Sequence, residues 1–187
     1  MANHVSTYVS FENLSKEAEE FLTNIDMSKE NDEVLMNFVN EEVGDTRQDW
    51  VDAFGAKWVY FDDISENTAC LVSAWSPPEA LLDKMYDKLH SLNSPNLELW
   101  ATYDDEMPNF IGTWGRIGDF YYEEYVEDEH YESVIGCNPH ILDEEGDWED
   151  YNEDWPELLD KWHDSEYECF KQCYAEHLEE LEILKTD

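Results

Sequence analysis

The chain has 187 residues, 42% of them hydrophobic and 14% aromatic, and its 48 acidic against 10 basic side chains give a formal net charge of −38. Acidic disordered chains are poor in aromatics, whereas this one carries 8 Trp, 11 Tyr and 8 Phe, so the composition predicts a folded protein with a sizeable core. The charge argues against direct nucleic-acid binding and against anionic membranes, both of which would repel it, and favours a basic partner, a cation or a high-salt environment.

The first fifteen residues, MANHVSTYVSFENLS, lack the basic start and apolar run of a signal peptide. No apolar run of 18 residues occurs, so no membrane helix is expected. A cytoplasmic protein follows, in which Cys70, Cys137, Cys169 and Cys173 are free thiols.

Residues 4–11, HVSTYVSF, alternate and are rich in β-formers, which predicts a first strand. Ser15 caps a helix with Ala18, Phe21, Leu22 and Ile25 on one face. Val34, Leu35, Phe38 and Val39 suggest another helix, and Trp50, Val51 and Phe54 a further turn. KWVYF at 57–61 and TACLVSAW at 68–75 predict two strands joined by the polar loop DDISEN. Pro77 and Pro78 open a helix whose apolar face is Leu81, Leu82, Met85, Leu89 and Leu92. Residues 96–103 predict a strand; 110–114 and 119–126 predict two more, linked by a turn from Gly115 to Gly118.

From about residue 127 periodicity fades into an acidic connection. Asp154 then caps a last helix, with Pro156 in its first turn and Glu157 completing a D-x-x-E pattern. Its inner side is Leu158, Leu159, Trp162, Phe170, Cys173, Tyr174, Leu178, Leu181 and Leu184, with a break near Asp164 and Ser165. Trp148, Tyr151, Trp155 and Trp162 recur at helical intervals, which predicts a docked element rather than a loose tail. Two parts are expected: residues 1–126, and a helical extension over 127–187 packed on them.

Strand, helix, strand, strand, helix, strand is the ferredoxin-like order. The expected fold is α+β: a ferredoxin-like antiparallel sheet with helices on one face, plus added strands and a long C-terminal helix. Over residues 57–118 the chain further resembles the YubB-type ferredoxin-like family of phage and plasmid proteins. The resemblance rests on Trp75, Ser76, Pro77 and Pro78, on Pro95, Asn96 and Leu97, on Tyr103, and on Phe110, Ile111 and Gly112. It implies a fold and a mobile-element setting, and brings no catalytic residues. Taken singly, Trp75 reads as a packing residue, and Gly112 marks a close backbone approach.

No motif assigns a reaction. Cys169, Cys173 and His177 share a helix face but lack a fourth ligand of clear spacing for zinc, so they read as buried small residues. DEEGDWEDYNED alternates acids like a calcium loop, but from Asp143 the glycine falls at the fourth position rather than the sixth, and Asp154 stands at the twelfth. No cofactor, metal or catalytic residue is expected.

The acid itself is the remaining signal. Residues 1–122 and 123–187 carry equal numbers of acids, although the second segment is about half as long, and its bases are Lys161, Lys171 and Lys185 alone. Spread over roughly 9,000 Å² the acids give about one per 200 Å². Duplex DNA carries about one charge per 100 Å². A twofold concentration on one face would match it. The sequence therefore predicts an acidic DNA mimic that inhibits a basic, nucleic-acid-binding host protein such as a defence nuclease, nucleoid protein or polymerase. The surface would comprise Glu123, Glu124, Glu127, Asp128, Glu129, Asp143, Glu144, Glu145, Asp147, Glu149, Asp150, Glu153, Asp154, Glu157, Asp160 and Asp164. Pairing of C-terminal helices into a homodimer would extend it. The alternatives are a salt-adapted binding or structural protein without mimicry and, behind it, a metal-dependent enzyme.

Overall fold

The computed structural model describes residues 3–39, 42–107, 109–142 and 148–184, with the backbone alone described for 141, 142, 148–150 and 184. The chain runs β1 (His4–Glu12), α1 (Lys16–Thr23), α2 (Asn31–Leu35), a 3-10 turn (Met36–Phe38), α3 (Arg47–Phe54), β2 (Lys57–Ile64) and β3 (Thr68–Ala74). It continues with α4 (Glu79–Ser91), β4 (Glu98–Asp105), β5 (Phe110–Ile117), β6 (Phe120–Glu127), α5 (Tyr131–Val134), β7 (His140–Leu142), β8 (Trp148–Tyr151) and α6 (Trp155–Leu184). Six strands form one antiparallel sheet in the order β2-β3-β1-β4-β5-β6, and β7 pairs with β8 separately.

Alternation sorts the side chains. Val5, Thr7, Val9 and Phe11 of β1 are buried and register with Leu71 and Ala69 of β3 and with Tyr103, Ala101 and Leu99 of β4. This face meets α1 to α4 in the main core, where Leu81, Leu82, Met85 and Leu89 of α4 are wholly buried. Each such side chain contributes about 1.5–3 kcal/mol on leaving water. Local chemistry sets the ends. The Ser15 hydroxyl accepts from the Ala18 N–H, Thr46 and Asp49 form a capping box on α3, and Gly55 ends α3 with φ of 83°. At Gly112 the Tyr103 ring lies where a Cβ would stand, 2.3 Å from it, so the close approach there is to a side chain rather than to the backbone expected.

Several expectations need correction. Helices lie on both faces, because the second face of β4, β5 and β6 carries Trp100, Ile111, Ile117, Tyr122 and Val126, and α6 with α5 buries it. The sequence of α6 is apolar enough along one side to bridge the expected break, and it is continuous over 30 residues. DDI of the expected loop extends β2, and Gly115 lies inside β5, so the turn narrows to Gly118 and Asp119. Pro78 is the N-cap of α4 rather than a residue of its first turn. Trp148 and Tyr151 belong to β8, not to a helix, and Tyr151 is exposed. Leu178 and Leu181 are exposed, since the last turns of α6 pass beyond their sheet contacts. Trp75 is also exposed.

Candidate functional site

β6 is one of the two edge strands of the sheet, and its acids follow the pleat. Glu124 shares a face with Thr113, towards α6, whereas Glu123 and Glu127 share the opposite face with Trp114 and Phe110. Glu123, Glu124 and Glu127 are exposed, as are Asp128 and Glu129 just beyond the strand. Charge on an outer strand also keeps its open edge from pairing with other chains. Glu123 faces half-buried Glu79 in the first turn of α4. Burial first, then the charges of Glu123 and Asp83, push the Glu79 carboxyl above its ordinary range.

The second acidic element is α6. Its inner side is pinned by rings: Trp155 packs on Tyr131 with centroids 5.0 Å apart, and Phe170 stacks on Trp100 at 5.2 Å and 25°. The Tyr122 hydroxyl donates to Glu166 Oε2 at 2.6 Å, and Lys171 pairs with Glu98. Glu157, Asp160, Asp164 and Glu168 stand exposed on its outer side. Residues four apart on a helix lie ~6 Å apart along its axis. Like charges at that spacing destabilise a helix by ~0.2–0.5 kcal/mol a pair, so the buried rings offset a cost that Asp160, Asp164 and Glu168 impose. Glu157 is paired: Lys161 Nζ donates to it at 2.6 Å and lowers its pKa. The D-x-x-E cap is therefore not formed, and Asn152 Oδ1 instead accepts from the Asp154 N–H at 3.1 Å.

Asp160 and Asp164 also border a groove of about 470 Å³ between α6 and strands β1 and β4. Glu12 adds a third carboxylate, and Trp100, Tyr167 and His163 line the rest. Burial drives the His163 imidazole from 6.5 down to about 4, against the pull of Asp160 and Asp164, so it is neutral at pH 7. Its Nε2 has no hydrogen-bond partner among the described residues. Burial, then a hydrogen bond to Glu12, raises the Tyr167 hydroxyl, which stays protonated. Three carboxylates beside two aromatic rings suit a guanidinium, which takes carboxylates by its fork and stacks its plane on rings.

Next to the groove, on the same sheet face, Tyr8 is 55% exposed. Tyr60 and Asp63 share that face through their pairing across β3. Burial, then the charges of Asp104, Cys70 and Asp62, raise the Tyr8 hydroxyl.

The anticipated acids are only partly brought together. Glu157, Asp160 and Asp164 share the outer stripe of α6, and Glu153 and Asp154 are exposed just before it. Glu149 and Asp150 lie on β8 with side chains outside the described residues, and Asp143, Glu144, Glu145 and Asp147 fall outside them altogether. Exposed acids also occur on α1 (Glu17, Glu19, Glu20), α2 (Asp32, Glu33) and β2 (Asp62, Asp63), so acidity is not confined to the C-terminal third. Glu168 could have been found by extending the i,i+4 series. Glu12 could not, because only the pairing of β1 with β4 brings it to α6.

Among the described residues no three His, Cys, Asp or Glu side chains are grouped to hold a metal ion. Cys169 is exposed rather than buried, and the His177 ring lies 5.3 Å from Phe120. No helix among the described residues is long and apolar enough to cross a membrane. No protein-family model, curated protein or solved structure matches the chain.

Proposed function

We propose that the protein is an acidic DNA mimic of a phage or other mobile element that binds and inhibits a basic, nucleic-acid-binding host protein. The observation that carries this is the stripe of Asp160, Asp164 and Glu168 on a helix pinned by buried rings, with the three-carboxylate groove at its foot. A phosphate mimic needs charges at fixed spacing, which a merely soluble surface does not. The whole surface of 11187 Å² holds one acid per about 230 Å², so mimicry must come from local spacing rather than overall density. Partner arginines would enter the groove, and long-range attraction would speed encounter. The order β2-β3-β1-β4, with α1 and α4 as crossovers, supports a ferredoxin-like unit at the centre. The resemblance of residues 57–118 to the YubB-type family supports the mobile-element setting.

The test is retention of proteins from a bacterial lysate on immobilised protein at low and high salt, with elution by duplex DNA. DNA-binding proteins should be retained at low salt and released by DNA. Retention of no nucleic-acid-binding protein at low salt refutes the proposal. A second reading, a salt-adapted protein without mimicry, is favoured by the exposed acids on α1, α2 and β2. It predicts stability that requires molar salt and no such partner.

A further inference from the structure

In a chain with 10 basic residues, three of them border one cavity. Its volume is about 660 Å³, within the range of small-ligand sites. It lies between α2, α3 and β2, with buried Val34, Leu35, Phe54 and Phe61 among its walls. Lys29, Arg47 and Lys57 stand around it, with Asp32 and Asp45 as the acids of its lining.

Lys29 pairs with Glu33 at 3.7 Å. Arg47 and Lys57 pair with no carboxylate among the described residues, although the chain offers 48 acids. Instead the Arg47 guanidinium sits 5.2 Å from the centre of the Trp58 ring, and Lys57 Nζ sits 4.4 Å from that of Trp75. Arg47 is also the first residue of α3, where the helix dipole disfavours a cation. Neither its helix position nor an ion pair accounts for it.

The two tryptophans are equally unusual. Trp58 and Trp75 are 59% and 44% exposed, and their rings lie 5.4 Å apart. Both have left-handed backbones, with φ of 51° and 68°, a conformation that bulky residues seldom adopt. Such strain persists where the surroundings impose it and gathers at ligand sites. Here it holds an indole against the cavity beside Arg47 and Lys57, which have no carboxylate partner among the described residues.

We infer that this cavity binds a small aromatic acid: its planar body enters between α2, α3 and β2 against Trp58, and its acidic group meets Arg47 and Lys57. The site is independent of the acidic surface on α6 and takes a ligand of the opposite sign. The net charge sharpens the test, because an anionic probe is repelled from the rest of the surface. The probes are 8-anilinonaphthalene-1-sulfonate and its uncharged counterpart N-phenyl-1-naphthylamine, titrated against dye fluorescence and tryptophan quenching. The sulfonate should bind with one-to-one stoichiometry and about tenfold or more tighter than the neutral dye, as a charge-assisted contact provides. The double variant R47Q/K57Q, whose circular dichroism should be unchanged because Arg47 is exposed, Lys57 is only half-buried and neither holds an ion pair among the described residues, should lose that advantage and bind the neutral dye as before. Equal affinity for the two dyes, or sulfonate binding that survives R47Q/K57Q, overturns the inference. The single variant W58A separates the ring's part: it should weaken both dyes, and undiminished binding of both removes Trp58 from the site.

Discussion

Phe170 is one of the points at which the acidic helix is fixed to the sheet, and its share of the fixation can be measured. The ring is wholly buried, stacks on Trp100 and Phe120, and lies over Gly115 of β5. A Cβ at Gly115 would stand 2.8 Å from Phe170 Cε2, 3.0 Å from its Cδ2 and 3.0 Å from Trp100 Cε3. F170A should cost about 3–5 kcal/mol, the range for truncating a buried phenylalanine. G115A alone should cost about 1–3 kcal/mol through overpacking. In the F170A background two of its three close contacts disappear, so the added methyl should cost under ~1 kcal/mol. The cycle therefore predicts a coupling of about 1–2 kcal/mol. The assay is urea unfolding followed by tryptophan fluorescence, with an unchanged m value as the control that the denatured state is the same. Additivity of the two substitutions within ~0.5 kcal/mol would show that the ring does not rest on Gly115, and α6 would then lack the rigid seat on which fixed carboxylate spacing depends.

Salt and pH supply two further checks. Raising ionic strength from 0.01 M to 1 M shortens the screening length from about 30 Å to about 3 Å, so relief of self-repulsion at −38 should raise Tm by several degrees. Most of the gain should be complete by a few hundred millimolar; a cooperative transition seen only in molar salt favours the salt-adapted reading. His163 makes a pH prediction of definite sign. Its folded pKa of about 4 lies below the unfolded 6.5, so the unfolded chain binds the extra proton. The stability it contributes is complete above about pH 6.5 and is lost as pH falls towards 4. H163F should flatten that loss. Raised Glu79 and Asp104 act oppositely, gaining stability as pH falls through their folded values, so the comparison must be wild type against H163F and not the bare profile. An NMR titration placing the His163 imidazole near 6.5 would refute the burial argument.

In the first 126 residues β1, α1 and α4 were legible because each carries a strong local signal: alternation in β1, Ser15 as a cap, and the run Leu81, Leu82, Met85, Leu89 in α4. What was not legible follows from two-sidedness. The sequence of β5, FIGTWGRI, buries both faces, so nothing in it says that Gly115 is a seat for a helix 55 residues away rather than the start of a turn. The same ambiguity hid α6's position: one apolar stripe says that a helix docks, but not on which face. Trp148 and Tyr151 fitted a helical interval because a spacing of three does not by itself distinguish a helix from a short strand.

The site divides along the same line. The outer stripe of α6 follows from helical spacing alone, because Glu157, Asp160 and Asp164 must share a side once Trp155 and Trp162 face inwards. The groove does not, since Glu12, Trp100 and His163 come from three elements. Nor does the basic cavity, where charge counting points away from anions altogether. A total of 10 bases argues against an anionic ligand only if they are spread evenly, and Lys29, Arg47 and Lys57 are gathered. Net charge governs encounter at distances beyond a screening length, whereas binding is decided by the few groups within reach of the ligand. The proposed basic macromolecular partner at α6 and the inferred small acid beside Trp58 are therefore compatible. Salt separates the two: it should weaken the first contact steeply, and the second, once long-range repulsion is screened, should hold or strengthen.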